Sequence, residues 1–311
     1  MTKVVLFRAD SSSQIGTGHI MRDLVLASQL QKEFPDAKIV FATQNLDGNI
    51  NYKITEAGYE IVTLDSHAIE ELLEVIKAWN VEMLVIDHYD IGAEYEKELK
   101  DKNPTMKILS FDDTYEKHFC DILLNHNISA NKKKYKELVP KKCELRCGFE
   151  YTLLRDEFIE EKKKQRTKNL KSRIFIAMGG ADTANLNIKI VKTLKKFKNI
   201  QVNLVTTTAN KTLKELQKYV ENKKWIKLYI NSTKIAKLMR KSDFAIITPS
   251  VTANEVYFMG LPFIAIKTAE NQNDMYRLLK KKKYLVLEKF NNTKLEKRVR
   301  QILKNIYKDE K

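Results

Sequence analysis

The chain has 311 residues, 43% of them hydrophobic and 31% charged, with a formal net charge of +16; that is enough for one large or two medium domains, each with its own core. No apolar run approaches the roughly 20 residues that cross a bilayer, and the start, MTKVVLFRAD, turns polar too early for a signal peptide. Three cysteines, Cys120, Cys143 and Cys147, are few and odd in number and read as reduced thiols of a cytoplasmic protein rather than a disulfide framework.

Along the first half, short apolar runs alternate with helical patterns. Strands are predicted at 3–9, 38–43, 60–64, 82–87, 107–111 and 121–125, with amphipathic stretches near 18–33, 67–79 and 92–102. Residues 143–154 read as a last strand and its exit. Alternation of this kind implies a parallel sheet covered on both faces. The segment EEKKKQRTKNLKSR, 160–173, is charged and almost without apolar residues, and reads as a linker or a solvated helix between domains. The alternation then restarts. Strands are predicted at 173–178, 201–206, 225–230, 244–248, 262–266 and 284–288, and helices at 184–196, 210–221, 232–241, 252–259, 271–282 and 293–307. The expected fold class is α/β, with domains at 1–156 and 157–311. Ligands of such open sheets sit at the carboxyl ends of strands, and two such domains facing each other would make a cleft.

The charge divides between the same halves. Residues 1–156 hold 20 Lys+Arg against 26 Asp+Glu, whereas 157–311 hold 36 against 14. A basic unit favours anionic partners such as nucleotides, nucleic acid or acidic membrane. The lysines recur on helix surfaces without interleaved aromatic residues, which is also the pattern of a solvated face.

Three turns carry candidate chemistry. Val4-Val5-Leu6-Phe7 feeds a loop with Gly16, Gly18 and His19 that opens into a helix; free N–H groups and the positive helix end make that an anion site. A histidine there titrates near neutral pH. The loop is neither GxGxxG, since Met21 stands three after Gly18, nor a P-loop, since no GK[ST] follows. A second strand–glycine–helix turn, MGGAD, holds Gly179 and Gly180. In the third, ITPSVTANEVYFMGLP, Ser250 and Thr252 are expected to cap a helix carrying Glu255 in its first turn, ending at Gly260. A carboxylate there supports the helix dipole or accepts two ribose hydroxyls. Glu270, Asn271, Gln272 and Asn273 sit at a further strand-to-helix turn. Asp87, His88, Tyr89, Asp112 and Asp113 are placed at strand ends. No cysteine–histidine set has metal-ligand spacing.

Taken together, RADSSSQIGTGHIMRDLVLA, IDHYDI, SFDD, CDILLN, CGFEYTLLRDEF and MGGADTANLN resemble the UDP-sugar hydrolases of bacterial pseudaminic acid biosynthesis. The likeness covers most of the chain and is strongest in residues 3–180. Those enzymes remove UDP from UDP-2,4-diacetamido-2,4,6-trideoxy-β-L-altropyranose. The resemblance implies a GT-B-like fold, two Rossmann-like domains with parallel sheets facing across a cleft, and UDP held mainly by the C-terminal one. It implies His19 as the general base that aims water at the anomeric carbon, with inversion and C–O cleavage. It places Glu255 on the uridine ribose, Gly179 and Gly180 on the diphosphate, and Asn271 and Arg155 near the ligand; Gly16, Gly18 and Ser250 are further substrate-binding candidates from the turns themselves. It implies no cofactor and no metal, and a cytoplasmic monomer without nucleic-acid or stable membrane partners, upstream of flagellin glycosylation. ITPSVTANE and KTAENQND depart from the family strings. Two related readings stay open, a GT-B glycosyltransferase and a hydrolysing UDP-sugar 2-epimerase, with a basic nucleic-acid-binding protein as a more distant one.

Overall fold

The computed structural model describes residues 3–166 and 170–308. Contacts divide the chain into two units, 1–153 and 154–311. The first holds seven strands: β1 (Val4–Ala9), β2 (Lys38–Gln44), β3 (Glu60–Leu64), β4 (Met83–Asp87), β5 (Lys107–Phe111), β6 (Ile122–Asn125) and β7 (Glu144–Cys147). They form a parallel sheet of order β3-β2-β1-β4-β5-β6-β7. A parallel sheet needs a covering layer on each face. Accordingly, β1 is buried along its whole length, with Val4 and Leu6 in one core and Val5, Phe7 and Ala9 in the other. The covering helices are α1 (Gly18–Glu33), α2 (Tyr52–Glu56), α3 (Ile69–Trp79) and α4 (Ala93–Lys102). Only the one-and-a-half-turn α2 was not legible in the sequence pattern.

The second unit holds β8 (Ser172–Ala177), β9 (Ile200–Thr206), β10 (Ile226–Ile230), β11 (Phe244–Ile247), β12 (Phe263–Ile266) and β13 (Leu285–Leu287). These again run parallel, in the order β10-β9-β8-β11-β12-β13. Its helices are α5 (Asp156–Lys163), α6 (Asn187–Leu194), α7 (Leu213–Val220), α8 (Ile235–Arg240), α9 (Val251–Met259), α10 (Asn273–Lys281) and α11 (Asn292–Lys308).

The charged stretch from 160 onward, expected as a linker or a solvated helix between domains, is helical at its start but lies within the second unit. Its first residues end α5, which belongs to the second unit and packs on α8 and α9. Phe158 is fully buried, Arg240 Nε donates to Glu161 at 2.6 Å, and Arg166 donates to the Met259 carbonyl. One buried apolar anchor and a few ion pairs suffice to dock a helix whose other residues, the exposed Ile159 apart, are polar. The part of that stretch at 167–169 lies outside the described residues.

In each sheet the strand order reverses beside the first strand of the unit, between β1 and β4 and between β8 and β11. Such reversals open a crevice at the carboxyl ends of the two strands. The glycine turns of the sequence lie at these two places.

Candidate functional site

The loop after β1 is folded by its own serines. Ser12 Oγ accepts from the N–H groups of Gln14 and Ile15, Ser12 and Gly16 exchange backbone hydrogen bonds, and Ser11 Oγ accepts from Ile50 N. The SSSQIG string is thus a scaffold that presents the start of α1. That start has no side-chain cap, so its first N–H groups stay available, as anion binding requires. A Cβ on Gly18 would meet open space.

His19, in the first turn of α1, is buried. Its Nδ1 is enclosed without a hydrogen-bond partner, which leaves Nε2 as the nitrogen able to meet water. Burial lowers its pKa below the ordinary histidine value, and the nearby Asp87 carboxylate opposes that shift. The ring packs edge-on against Tyr89, 4.9 Å between centroids.

Three and four residues on, Arg22 and Asp23 share the His19 face of the helix. Arg22 makes a forked contact with Asp87: Nε donates to Oδ2 at 2.5 Å and Nη2 donates to Oδ1. Its Nη1 reaches Asp113 at 3.3 Å, and Tyr89 donates its hydroxyl to the other oxygen of Asp113 at 3.1 Å. His19, Tyr89, Asp113, Arg22 and Asp87 therefore form one connected network at the carboxyl ends of β1, β4 and β5. Burial works to raise the Asp87 carboxyl, but the guanidinium outweighs it and holds the group below its ordinary value. Burial, and then the charge on Asp87, push the Asp23 carboxyl well above its ordinary value. His126, after β6, is held neutral by burial and then by Arg22, with its pKa down at about 3.

A second polar group occupies the opposite face of the same edge. Arg8 pairs with Asp10 at 2.9 Å and donates to His67 Nδ1 at 2.9 Å, and His88 Nε2 lies 3.2 Å from Asp10. Ligand atoms of Asp10, His67 and His88 lie within 4.8 Å of one another, as around a metal. Arg8 already supplies positive charge there through its contacts with Asp10 and His67.

Asp112 and Asp113 part company. Asp112 accepts from the N–H groups of Thr114, Tyr115 and Glu116 and so shapes the loop, whereas Asp113 faces Arg22.

In the second unit, Ala177 of β8 pairs with Ile247 of β11, so the turns that follow leave the sheet side by side. Gly179 has φ +81°, a conformation that disfavours any side chain, and a Cβ on Gly180 would come within 2.9 Å of Thr207. Asp182 accepts from the N–H groups of Leu186 and Asn187, and thereby occupies the start of α6.

The third turn departs from expectation at two points. Ser250 is the N-cap residue of α9 but makes no cap hydrogen bond; its hydroxyl pairs with Thr248 at 2.9 Å. Glu255 is the fifth residue of α9, beyond the first turn, so dipole support does not explain it. Its carboxylate meets Arg155 Nη2 at 3.3 Å, and Arg155 Nη1 meets Glu157 at 2.9 Å. Burial lifts Glu255 to about 7 against the pull of Arg155. The helix ends at Gly260 with φ 62°, as the sequence implied. Asn271 sits exposed in the short 3-10 turn Glu270–Gln272, and no hydrogen bond joins it to Arg155 or Glu255 among the described residues.

His19 thus joins the Arg22–Asp87 network and Arg155 meets Glu255; Arg22, Asp23 and His126 were not among the site residues expected from the sequence. The i, i+3, i+4 spacing of His19, Arg22 and Asp23 was the signal for two of them.

The chain is 45% identical, over 92% of its length and 99% of the relative's, to the UDP-2,4-diacetamido-2,4,6-trideoxy-β-L-altropyranose hydrolase of Campylobacter jejuni. The chain belongs to this hydrolase family. An uncharacterized protein of Methanocaldococcus jannaschii is 30% identical over 86% of the chain, which spans 56% of that longer protein. No family model matches. Among solved structures, MurG of Acinetobacter baumannii covers 97% of the chain with TM-score 0.65 at 12% identity, the chain covering 91% of it. The UDP-GlcNAc 2-epimerase of Neisseria meningitidis covers 98% with TM-score 0.63 at 11% identity, and the chain covers 92% of it. These distant likenesses establish the GT-B-type fold of two Rossmann-like domains for this hydrolase-family chain. No helix among the described residues is long and apolar enough to cross a membrane.

Proposed function

We propose that this protein hydrolyses UDP-2,4-diacetamido-2,4,6-trideoxy-β-L-altropyranose to UDP and the free 2,4-diacetamido-2,4,6-trideoxy-L-altrose, as a cytoplasmic monomer of pseudaminic acid biosynthesis upstream of flagellin glycosylation. The observation that carries this reading is the 45% identity to the Campylobacter hydrolase along 99% of that protein. The His19 environment supports the mechanism. A buried imidazole with a lowered pKa is neutral at pH 7, and its Nε2 takes the proton from a water that attacks the anomeric carbon. The C–O bond breaks as the new one forms, the anomeric centre inverts, and the electron pair leaves on UDP. A positioned base contributes about 10²–10⁴-fold. Preorganised N–H groups and dipoles then stabilise the charge that develops on the leaving diphosphate. Gly16 and Gly18 leave room at the His19 loop. Gly179, Gly180 and Ser250 line the turns proposed for the diphosphate, Glu255 accepts the ribose hydroxyls once Arg155 yields, and Asn271 lies on the ligand side of its turn. The reaction is assigned no metal and no cofactor, and turnover in EDTA should equal that without it.

The test is hydrolysis in ¹⁸O-labelled water with no acceptor present. Label in the sugar and none in UDP, with an inverted first-formed anomer by NMR, supports the proposal. Label in UDP would mean P–O cleavage. A C2 epimer as product would favour the epimerase reading, and strict dependence on an acceptor would favour a glycosyltransferase; both have structural neighbours of this fold.

A further inference from the structure

Two of the three cysteines face each other in a place the hydrolase chemistry does not use. Cys120 immediately precedes the residues that lead into β6, and Cys143 immediately precedes β7. Their sulfur atoms lie 3.7 Å apart. The backbone around them is already joined, since Glu144 N donates to Asp121 O at 2.8 Å and the strands pair Ile122 with Glu144. A disulfide needs sulfurs about 2.05 Å apart, so each side chain has under about 1 Å to travel while the ladder stays intact. Cys120 is buried and Cys143 is partly open, so an oxidant can reach one sulfur and the other waits behind it. Cys147, at the far end of β7, makes no sulfur–sulfur contact among the described residues.

We propose that Cys120 and Cys143 are an oxidative modification site of this protein, closing to an intramolecular disulfide on exposure to a hydroperoxide. The roles follow from the asymmetry of the pair. The two sulfurs share a hydrogen bond, and that contact holds the Cys143 pKa below that of an ordinary cysteine, while the same contact, together with burial, raises that of Cys120. The thiolate is the nucleophile. Cys143 sulfur attacks the nearer peroxide oxygen, the O–O bond breaks, and hydroxide leaves, giving a sulfenic acid. Cys120 sulfur then attacks the sulfenic sulfur, the S–O bond breaks, and the hydroxyl leaves as water with the Cys120 proton. Two thiols are oxidised by two electrons, and one hydroperoxide is reduced.

Purified wild-type protein and its Cys120→Ser, Cys143→Ser and Cys147→Ser variants are treated with hydrogen peroxide, and free thiols are counted before a non-reducing peptide map. In the wild type, the three thiols of the chain should fall to one, with a single cross-linked peptide pair carrying Cys120 and Cys143, fully reversed by dithiothreitol. Cys147→Ser should form the same cross-link, and Cys120→Ser should instead accumulate a dimedone-reactive sulfenic acid on Cys143. A cross-link through Cys147, a link between chains, or three thiols surviving peroxide that oxidises free cysteine completely would overturn the proposal. Should Cys120→Ser fail to fold, the wild type and Cys147→Ser decide the matter alone.

Discussion

Glu255 gives the most quantitative handle on the second unit. Its carboxyl stands at about 7 in the fold, against an ordinary 4.5, because burial outweighs the attraction of Arg155. A folded-state pKa above the unfolded one means that the native state binds the proton more tightly. Its stabilising share is complete below pH 4.5 and is lost as pH rises toward and through 7. A shift of two and a half units corresponds to about 3 kcal/mol, of which about 2.5 kcal/mol falls between pH 5 and pH 8. Glu255→Gln keeps the shape and removes the titration. Urea unfolding of both proteins across that range, in a Trp79→Phe background so that Trp225 alone reports on the second unit, isolates the effect. The stability of Glu255→Gln relative to wild type should improve by about 2.5 kcal/mol from pH 5 to pH 8. Arg155→Gln, which removes the opposing cation, should move the window to higher pH. A wild-type-minus-Gln difference that is flat with pH would refute the reasoning, because Glu255 would then already be ionised at pH 5.

Three further outcomes are expected. His19→Asn should fold and bind UDP, yet lose about 10²–10⁴-fold in kcat by UDP release; near wild-type turnover would remove His19 from the mechanism. Asp87→Asn removes a charge that raises the His19 pKa, so the acid limb of the pH–kcat profile should move to lower pH, and the protein should be less stable by denaturant melt because Arg22 keeps only its longer contact with Asp113. An unmoved limb would show that Asp87 does not sense the base. Gly180→Ala should cost about 1–3 kcal/mol through its clash with Thr207, measured by the same melt, and a neutral result would mean that the turn relaxes freely.

Much of the fold was legible because parallel α/β architecture writes itself locally. Runs such as Val4–Phe7 and Phe263–Ile266 are buried on both faces, so nothing polar interrupts them, and the periodicity switches cleanly at each helix. The exceptions were short or polar. α2 is five residues long and has no period to read, and α5 hides one buried phenylalanine among charges. The motif strings likewise sufficed to name the hydrolase family.

What the linear order left undecided is which polar groups meet. Asp87 and Asp113 looked alike at strand ends, and only the sheet order, which sets β4 beside both β1 and β5, brings them to Arg22. Asp112 and Asp113 are neighbours in sequence but face opposite ways along an extended chain, so one shapes a loop and the other enters the network. Arg155 and Glu255, a hundred residues apart, become a pair only because α5 docks beside α9. Amino-acid order by itself therefore determined the strands, the helices other than α2 and α5, the two glycine turns and the family, since each is encoded over a few residues. The pKa shifts of His19, Asp23, His126 and Glu255 were decided by tertiary structure alone, because they depend on burial and on charges delivered from distant strands.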